Sequence, residues 1–317
     1  MKRGRKENGI IAREMFKNIV MGNSFLTGIR NKIASGRTTG ALDIERSHKH
    51  VLSIFEQYTL GLKDAGLSPD YFKGKTILEI GPGSNLGVEL CFIGKGAKRA
   101  YALDRFKDVQ STPKVAELYE RIIQQMPEEE KVRVKAVYKT EKGLPVIDEN
   151  MVSYLGECAL EDVLSKFKHP SGNCSLKVDV VVSHLALEHV AKLSKGIFMV
   201  SQMLNPGGIC IFTCNLKSLG GVYMHHTEPL RLLNYSESLW QKMFSERGGS
   251  NRVRAFGYRK RLEVNNFSIL SFEVLEKMSL EELDKIRWNF DRKFRSLSND
   301  ELCILKFRIV GKLLAKN

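Results

Sequence analysis

The sequence is poor in several features that would fix a class at once. Only 8 of its 317 residues are proline, and no apolar run approaches the roughly 18 residues that cross a bilayer. A transmembrane helical protein is therefore not expected. Six cysteines, Cys91, Cys158, Cys174, Cys210, Cys214 and Cys303, are scattered without a Cys-x-x-Cys pair. That gives no support to a zinc ribbon or a disulfide framework, and the thiols read as reduced. The N-terminus is charged without an adjoining apolar signal core, so the chain reads as soluble and cytoplasmic. There is no RGG tract and no aromatic-spaced basic repeat, which limits what the positive charge says about nucleic acid.

What is present begins with that charge. Fifty basic against 36 acidic residues give +14 and a pI near 9.4. Such a balance favours anionic partners: nucleic acid, acidic or phosphorylated small molecules, or a lipid surface. With 43% hydrophobic residues the chain can bury a large core.

The stretch Lys75-Thr76-Ile77-Leu78-Glu79-Ile80-Gly81-Pro82-Gly83-Ser84-Asn85 organises the rest. A short β-branched run ends in a carboxylate and two glycines, which let backbone turn tightly and approach a ligand. A helix follows from about Gly87 to Ile93, then a second strand, Arg99 to Asp104. Asp104 stands about 20 residues beyond the glycines, where a carboxylate accepts from a ribose diol. Two alternatives fail on spacing. Leu86 stands where the dinucleotide fingerprint needs its third glycine, and no Gly-Lys-Ser/Thr follows to make a P-loop.

At this point the chain resembles the class I S-adenosylmethionine-dependent methyltransferases of small-molecule type. Glu79-Ile80-Gly81-Pro82-Gly83 is similar to their first motif and Asp104 to their ribose acid. Tyr154 to Glu161, Val178 to Val190, and the Pro206-Gly207-Gly208 turn with its following strand are similar to the third, fourth and fifth strands. The resemblance implies an α/β fold: a Rossmann-like, seven-stranded, mostly parallel sheet flanked by helices. It implies that Glu79, Gly81 and Gly83 hold the methionine end of S-adenosylmethionine, Asp104 the ribose, and Glu157, Cys158 and Ala159 the adenine. Ser183 and His184 then end the fourth strand beside the transferred methyl. The chain departs from the family at Asn85, in place of a third loop glycine, and at Glu157, in place of aspartate.

Methyl transfer from a sulfonium needs in-line placement and removal of a proton from a hydroxyl or ammonium nucleophile. His184, at a strand's carboxyl end, is the first candidate base, with the alternative that it only lines the pocket. His184 to His189 lacks the His-Glu-x-x-His spacing, so no metal site is expected. Downstream, Tyr223, His225 and His226 lie in a glycine-hinged loop. His225 and His226 are the next candidate bases, or are exposed loop residues. Tyr223, Tyr235, Trp240, Arg252 and Arg254 are the candidate substrate-binding residues. An arginine there suits a carboxylate or phosphate, or else pairs with acids on a solvated face.

Residues 1–70 read as an N-terminal helical extension or lid. Its basic amphipathic helix near Ile10 to Val20 is a lid, a packing helix or a membrane-surface helix; a second helix runs from about Asp43 to Ala65. Residues 71–317 read as the methyltransferase domain, with a substrate-side insertion around 216–262. Within it, Val132 to Tyr138 predicts an inserted strand or hairpin, Phe267 to Leu275 a sixth strand, Leu280 to Phe294 one helix, and Cys303 to Val310 an antiparallel closing edge. The expected function is methyl transfer to a small molecule, at a hydroxyl of a sugar-containing or anionic metabolite. An RNA methyltransferase and a non-catalytic cofactor-binding regulator are the alternatives.

Overall fold

The structure, a computed structural model, describes residues 43–170, 172, 174–218, 228–243 and 249–315. Helix α1 (Ile44–Asp64) starts where Asp43 accepts a hydrogen bond from the Arg46 amide, a side-chain N-cap. Strand β1 (Thr76–Ile80) enters the glycine loop, and α2 (Gly87–Gly94) leaves it with all eight residues buried. Then follow β2 (Arg99–Leu103), α3 (Pro113–Gln124), α4 (Glu128–Lys135), the hairpin β3 (Tyr138–Glu141) and β4 (Leu144–Ile147), β5 (Val152–Leu155), and α5 (Val163–Lys166). The second half comprises β6 (Val178–His184), α6 (Leu193–Met203), β7 (Leu204–Asn215), α7 (Glu237–Met243), α8 (Ala255–Val264), β8 (Phe267–Lys277), α9 (Leu280–Arg287), α10 (Arg292–Arg295), α11 (Asn299–Cys303) and β9 (Ile304–Leu313).

The seven-stranded sheet has the order β5-β2-β1-β6-β7-β9-β8, and β9 runs antiparallel to both of its neighbours. Strands β1, β2, β5, β6 and β7 pair in parallel, so their carboxyl ends share one rim. The fold is Rossmann-like. Apolar side chains cover both faces. One face packs Leu78, Val181 and Phe212 under α6 and α8; the other packs Ile77, Val180, Val182 and Ile211 under α1, α2 and α3. Burial on both sides is why these strands read as continuous apolar runs.

Helix α1 is fastened to the second face by aromatic packing and by charge. Tyr58 stacks on Phe92 and Phe55 packs edge-on to it, while Arg308 of β9 is paired with Asp64 and donates to Gln57 at 2.8 Å. Gly61 permits this approach: a Cβ there would stand 2.6 Å from the Ile211 methyl.

Three local expectations are corrected. Val132 and Val134 lie on a helix, α4, because Glu128 to Glu130 occupy its first turn and Arg133 and Lys135 its last, matching the helix dipole. The expected hairpin begins only at Tyr138. The predicted helix from Leu280 to Phe294 is two, since Asp291 gives its amide to the Leu233 carbonyl and its side chain, accepting from the Lys293 amide, caps a new start at Arg292. Strand β9 is no edge: nearly all of it is buried between β7 and β8, and the exposed residues of β8 mark that strand as the margin.

Candidate active site

A cleft opens at the carboxyl ends of β1, β2 and β6, on the face opposite α1. Its lining includes Ile80, Gly81, Asp104, Phe106, Cys158, Ala159, Leu160, Leu185 and Ala186. This is the rim where an open α/β sheet holds ligands. Gly81 has φ +78° and gives its amide to the Leu103 carbonyl at 2.9 Å, drawing the loop across β2. A Cβ on Gly81 would stand 2.5 Å from the Ala186 Cβ. Gly83, also at φ +78°, has open space where a side chain would project. The start of α2 is held from beneath: the Tyr119 hydroxyl accepts from the Leu86 amide at 2.7 Å, and Asn85 Oδ1 from the Gly87 amide at 2.9 Å.

Asp104 is the hinge of the opposite wall. Its carboxylate accepts from the Phe106 amide at 2.9 Å, and its carbonyl accepts from the Cys158 amide at 2.9 Å. Tyr154 braces the same loop, donating to the Phe106 carbonyl and accepting from the Asp108 amide. Two non-glycine residues flank the cleft with positive φ, Glu157 at 57° and Leu185 at 54°. Such strain is stored where surrounding contacts over-determine the backbone.

Of the expected cofactor residues, Gly81, Asp104, Cys158 and Ala159 line the cleft together; Glu79, Gly83, Glu157 and Ser183 lie outside its lining. The Glu157 side chain is exposed, and Lys166 donates to its carbonyl. Ser183 is fully buried and donates to the Ile80 carbonyl at 3.1 Å, stitching β6 to β1. Glu161 was not foreseen. It is buried in the cleft wall and accepts from the Lys192 amide at 3.1 Å. Phe106, two residues beyond the predicted acid, and Leu185 and Ala186, in the turn after β6, are further lining residues not among the sequence candidates, and their positions just past strand ends are the available signal.

Glu79 faces α1. Tyr58 donates to its Oε1 at 2.7 Å, and the buried carboxyl of Glu89, which has no other partner, shares a hydrogen bond with Glu79. Burial pushes the Glu79 carboxyl up to about 7, and burial together with Glu79 pushes Glu89 well above the usual range. Folding therefore takes up protons where the unfolded carboxyls have lost them, and stability falls as pH rises from about 4.5 through 7. Glu188, held by burial at about 8, acts in the same direction. Glu89→Gln is expected to flatten the decline in melting temperature between pH 5 and 8; a decline as steep as the parent's would refute the paired-carboxyl account.

His184 lies on the α1 face at the end of β6. Burial, then the charges of Lys306 and His50, depress it to about 4, so its imidazole is neutral at pH 7. Its Nδ1 is buried without a partner. The Ser218 amide, after β7, donates to the Pro229 carbonyl at 2.6 Å. Tyr223, His225 and His226 lie outside the described residues, as does the predicted helix from Ile10 to Val20.

The remaining candidates are built into the fold. Tyr235 and Trp240 stack within a helical cap whose core includes Leu233, Leu283, Phe290 and Phe294. Arg252 lies between the Trp240 and Phe294 rings, donates to the Tyr235 carbonyl at 2.6 Å and pairs with Glu237 at 2.6 Å. Arg254 donates to the carbonyls of Leu216, Leu302 and Ile304. Both guanidinium groups are thus taken up within the fold, by backbone carbonyls and, for Arg252, by Glu237 as well. Asn251 completes the staple, donating to Leu187 and Val190 carbonyls at 2.8 and 3.1 Å.

Among the described residues no group of three His, Cys, Asp or Glu side chains converges to hold a metal, and no helix is long and apolar enough to cross a membrane. No protein-family model matches the chain, and no curated protein sequence matches it. Solved structures do resemble it. An S-adenosylmethionine-dependent methyltransferase from Mesorhizobium loti is 14% identical over 76% of this chain and 92% of its own, with a TM-score of 0.40. Phosphoethanolamine N-methyltransferase 2 of Haemonchus contortus, solved with S-adenosylmethionine, is 15% identical over 82% of this chain and 53% of its own, at 0.43. The cyclase SpnF is 14% identical over 82% and 80%, at 0.41. Nothing about this chain's substrate follows from these likenesses.

Proposed function

We propose that the protein transfers a methyl group from S-adenosylmethionine to a small-molecule acceptor, at a hydroxyl of a sugar-containing or anionic metabolite. The observation that carries this reading is the cleft itself: an acid at the end of β2, a positive-φ glycine at the end of β1, and an apolar wall from Cys158 to Leu160 meet on one rim. These residues fit the nucleoside half of the cofactor. Asp104 offers carboxylate oxygens to a ribose diol, and Cys158 to Leu160 with Leu185 offer apolar surface to a flat base. The methionine half is assigned to the neighbouring strand ends, where Gly83 has open space at its Cβ position and His184 closes β6.

When bound, the cofactor supplies an activated methyl on a cationic sulfur. This chain then has to exclude water, hold the acceptor in line and remove its proton. His184 is the residue assigned the last task, because its neutral imidazole has a lone pair available at physiological pH and its Nδ1 has no competing partner. The same burial that keeps it neutral weakens it as a base, so positioning provides most of the acceleration.

The test is transfer of labelled methyl from S-adenosylmethionine across a metabolite extract, with and without RNase treatment. Label in small molecules that survives RNase supports the reading; label lost with RNase favours RNA as acceptor. With an acceptor in hand, His184→Ala is expected to lower kcat by roughly 10²-fold or more with cofactor affinity unchanged. An unchanged rate would move the base to His225 or His226.

A further inference from the structure

The acceptor end of the proposed site carries a feature that the cofactor cleft does not use. Strands β6, β7 and β9 lie side by side, and their register pairs His184 with Thr213, Thr213 with Arg308, and Asn215 with Lys306. Alternation along each strand then puts His184, Thr213, Asn215, Lys306 and Arg308 on one face, the face covered by α1. Of the two cations in this row, Arg308 is occupied, paired with Asp64 and bonded to Gln57. Lys306 is half-buried and has no ion pair or hydrogen bond among the described residues.

An ammonium in that setting has lost water without gaining an ion pair, since its register partner on β8, Glu276, is held by Lys217 at 2.7 Å. Its field reaches both neighbours: it disfavours the charged form of His184 and favours that of Glu188. Two further polar atoms at the same place are orphaned. Thr213 is fully buried and its Oγ1 has no partner, and neither has Nδ1 of His184, its register partner. Buried hydroxyls and ring nitrogens are nearly always hydrogen-bonded, so adjacent exceptions beside an unpaired cation mark a place prepared for a ligand.

We propose that Lys306 is the anion-binding residue of the acceptor pocket, which lies on the α1 face at the ends of β6, β7 and β9, so that the acceptor carries a carboxylate or phosphate oxyanion. This rests on the methyl-transfer reading for the word acceptor, but the oxyanion site stands on the geometry alone. Lys306 sets the position of the acceptor's charged group, Thr213 offers a hydroxyl to its polar atoms, and His184 faces the atom to be methylated. Lys306 thereby takes the role that the sequence had offered to Arg252 and Arg254, whose guanidinium groups are held by carbonyls.

The experiment is calorimetric titration of the full chain with inorganic phosphate and, separately, with malonate, each with and without saturating S-adenosylhomocysteine, with chloride as the control anion. One of the two oxyanions is expected to bind the parent protein. Lys306→Met should weaken that binding at least tenfold, Lys306→Arg should retain most of it, and Thr213→Val should weaken it by a smaller factor. The preferred oxyanion names the acceptor's charged group. S-adenosylhomocysteine binding, read in its own titration, should be the same for all four proteins, and its absence from the parent would strike the cofactor reading alone. No oxyanion binding to the parent, or equal binding to Lys306→Met, would overturn the proposal. Circular dichroism and the Lys306→Arg protein separate loss of the site from loss of the fold.

Discussion

Gly81→Val is expected to abolish binding of S-adenosylmethionine and S-adenosylhomocysteine, by at least about 100-fold, or roughly 2.7 kcal/mol. Two physical effects act together. Gly81 has φ +78°, where a β-branched residue is strained by on the order of 1–2 kcal/mol. Its new Cβ would also stand 2.5 Å from that of Ala186, so either the β1 loop or the turn after β6 must retreat. Both segments line the cleft, and a displacement of either misplaces the wall. Gly207→Ala is the control. Gly207 shares the left-handed backbone, at φ +79°, but nothing in the structure approaches its Cβ position and it lies outside the cleft. It should cost a little stability and leave calorimetric affinity unchanged. Equal losses in both variants would show that backbone strain, not cleft geometry, governs binding.

Arg254→Met is expected to lower stability by about 3–5 kcal/mol, because it leaves three buried carbonyls without this donor, at roughly 1–3 kcal/mol for each one left unsatisfied. Against a total of roughly 5–15 kcal/mol this is a large fraction, and the melting temperature should fall by about 10 °C. The guanidinium is almost fully buried, and it joins the carbonyl of Leu216, after β7, to those of Leu302 in α11 and Ile304 at the start of β9. A lysine at this position has one nitrogen for three acceptors and should restore only part of the loss. Cofactor affinity of the folded fraction should be unaffected. An unaltered melting temperature with a raised acceptor KM would return Arg254 to the substrate-binding role.

The contrast between these two residues shows which features the sequence made legible. The strand, glycine turn, helix and acid are contiguous or evenly spaced, and each residue type is dictated by local backbone geometry, so Gly81 and Asp104 could be placed from spacing alone. Arg254 could not. Its carbonyl partners lie 38, 48 and 50 residues away in the chain, and an arginine that grips carbonyls has the same letter as one that grips a phosphate. Ser183 illustrates a related limit: position at a strand end does not tell which face a side chain takes, and its hydroxyl bonds inward to β1. Lys306 was invisible because it is one lysine among many, and its meaning comes from the strands beside it. The place of β9 inside the sheet likewise follows from pairing that no local pattern records.

Helix α1 also carries more than the covering role read from its apolar stripe. Tyr58 reaches the buried Glu79, Asp64 and Gln57 hold Arg308, and His50 contributes to the field on His184. The helix before the sheet is thus bonded to the strand that precedes the glycine loop and to the strand that carries Lys306.

The most direct test of the central claim is calorimetry on the full chain with S-adenosylmethionine, S-adenosylhomocysteine and NADH in parallel, repeated with Asp104→Ala. Asp104 faces the cleft and also caps the Phe106 amide, so its loss removes a ribose acceptor and loosens the wall that carries it. The account predicts that both sulfur nucleosides bind the parent, that NADH does not, and that Asp104→Ala abolishes the binding. NADH binding, or sulfur-nucleoside binding indifferent to Asp104, would contradict it.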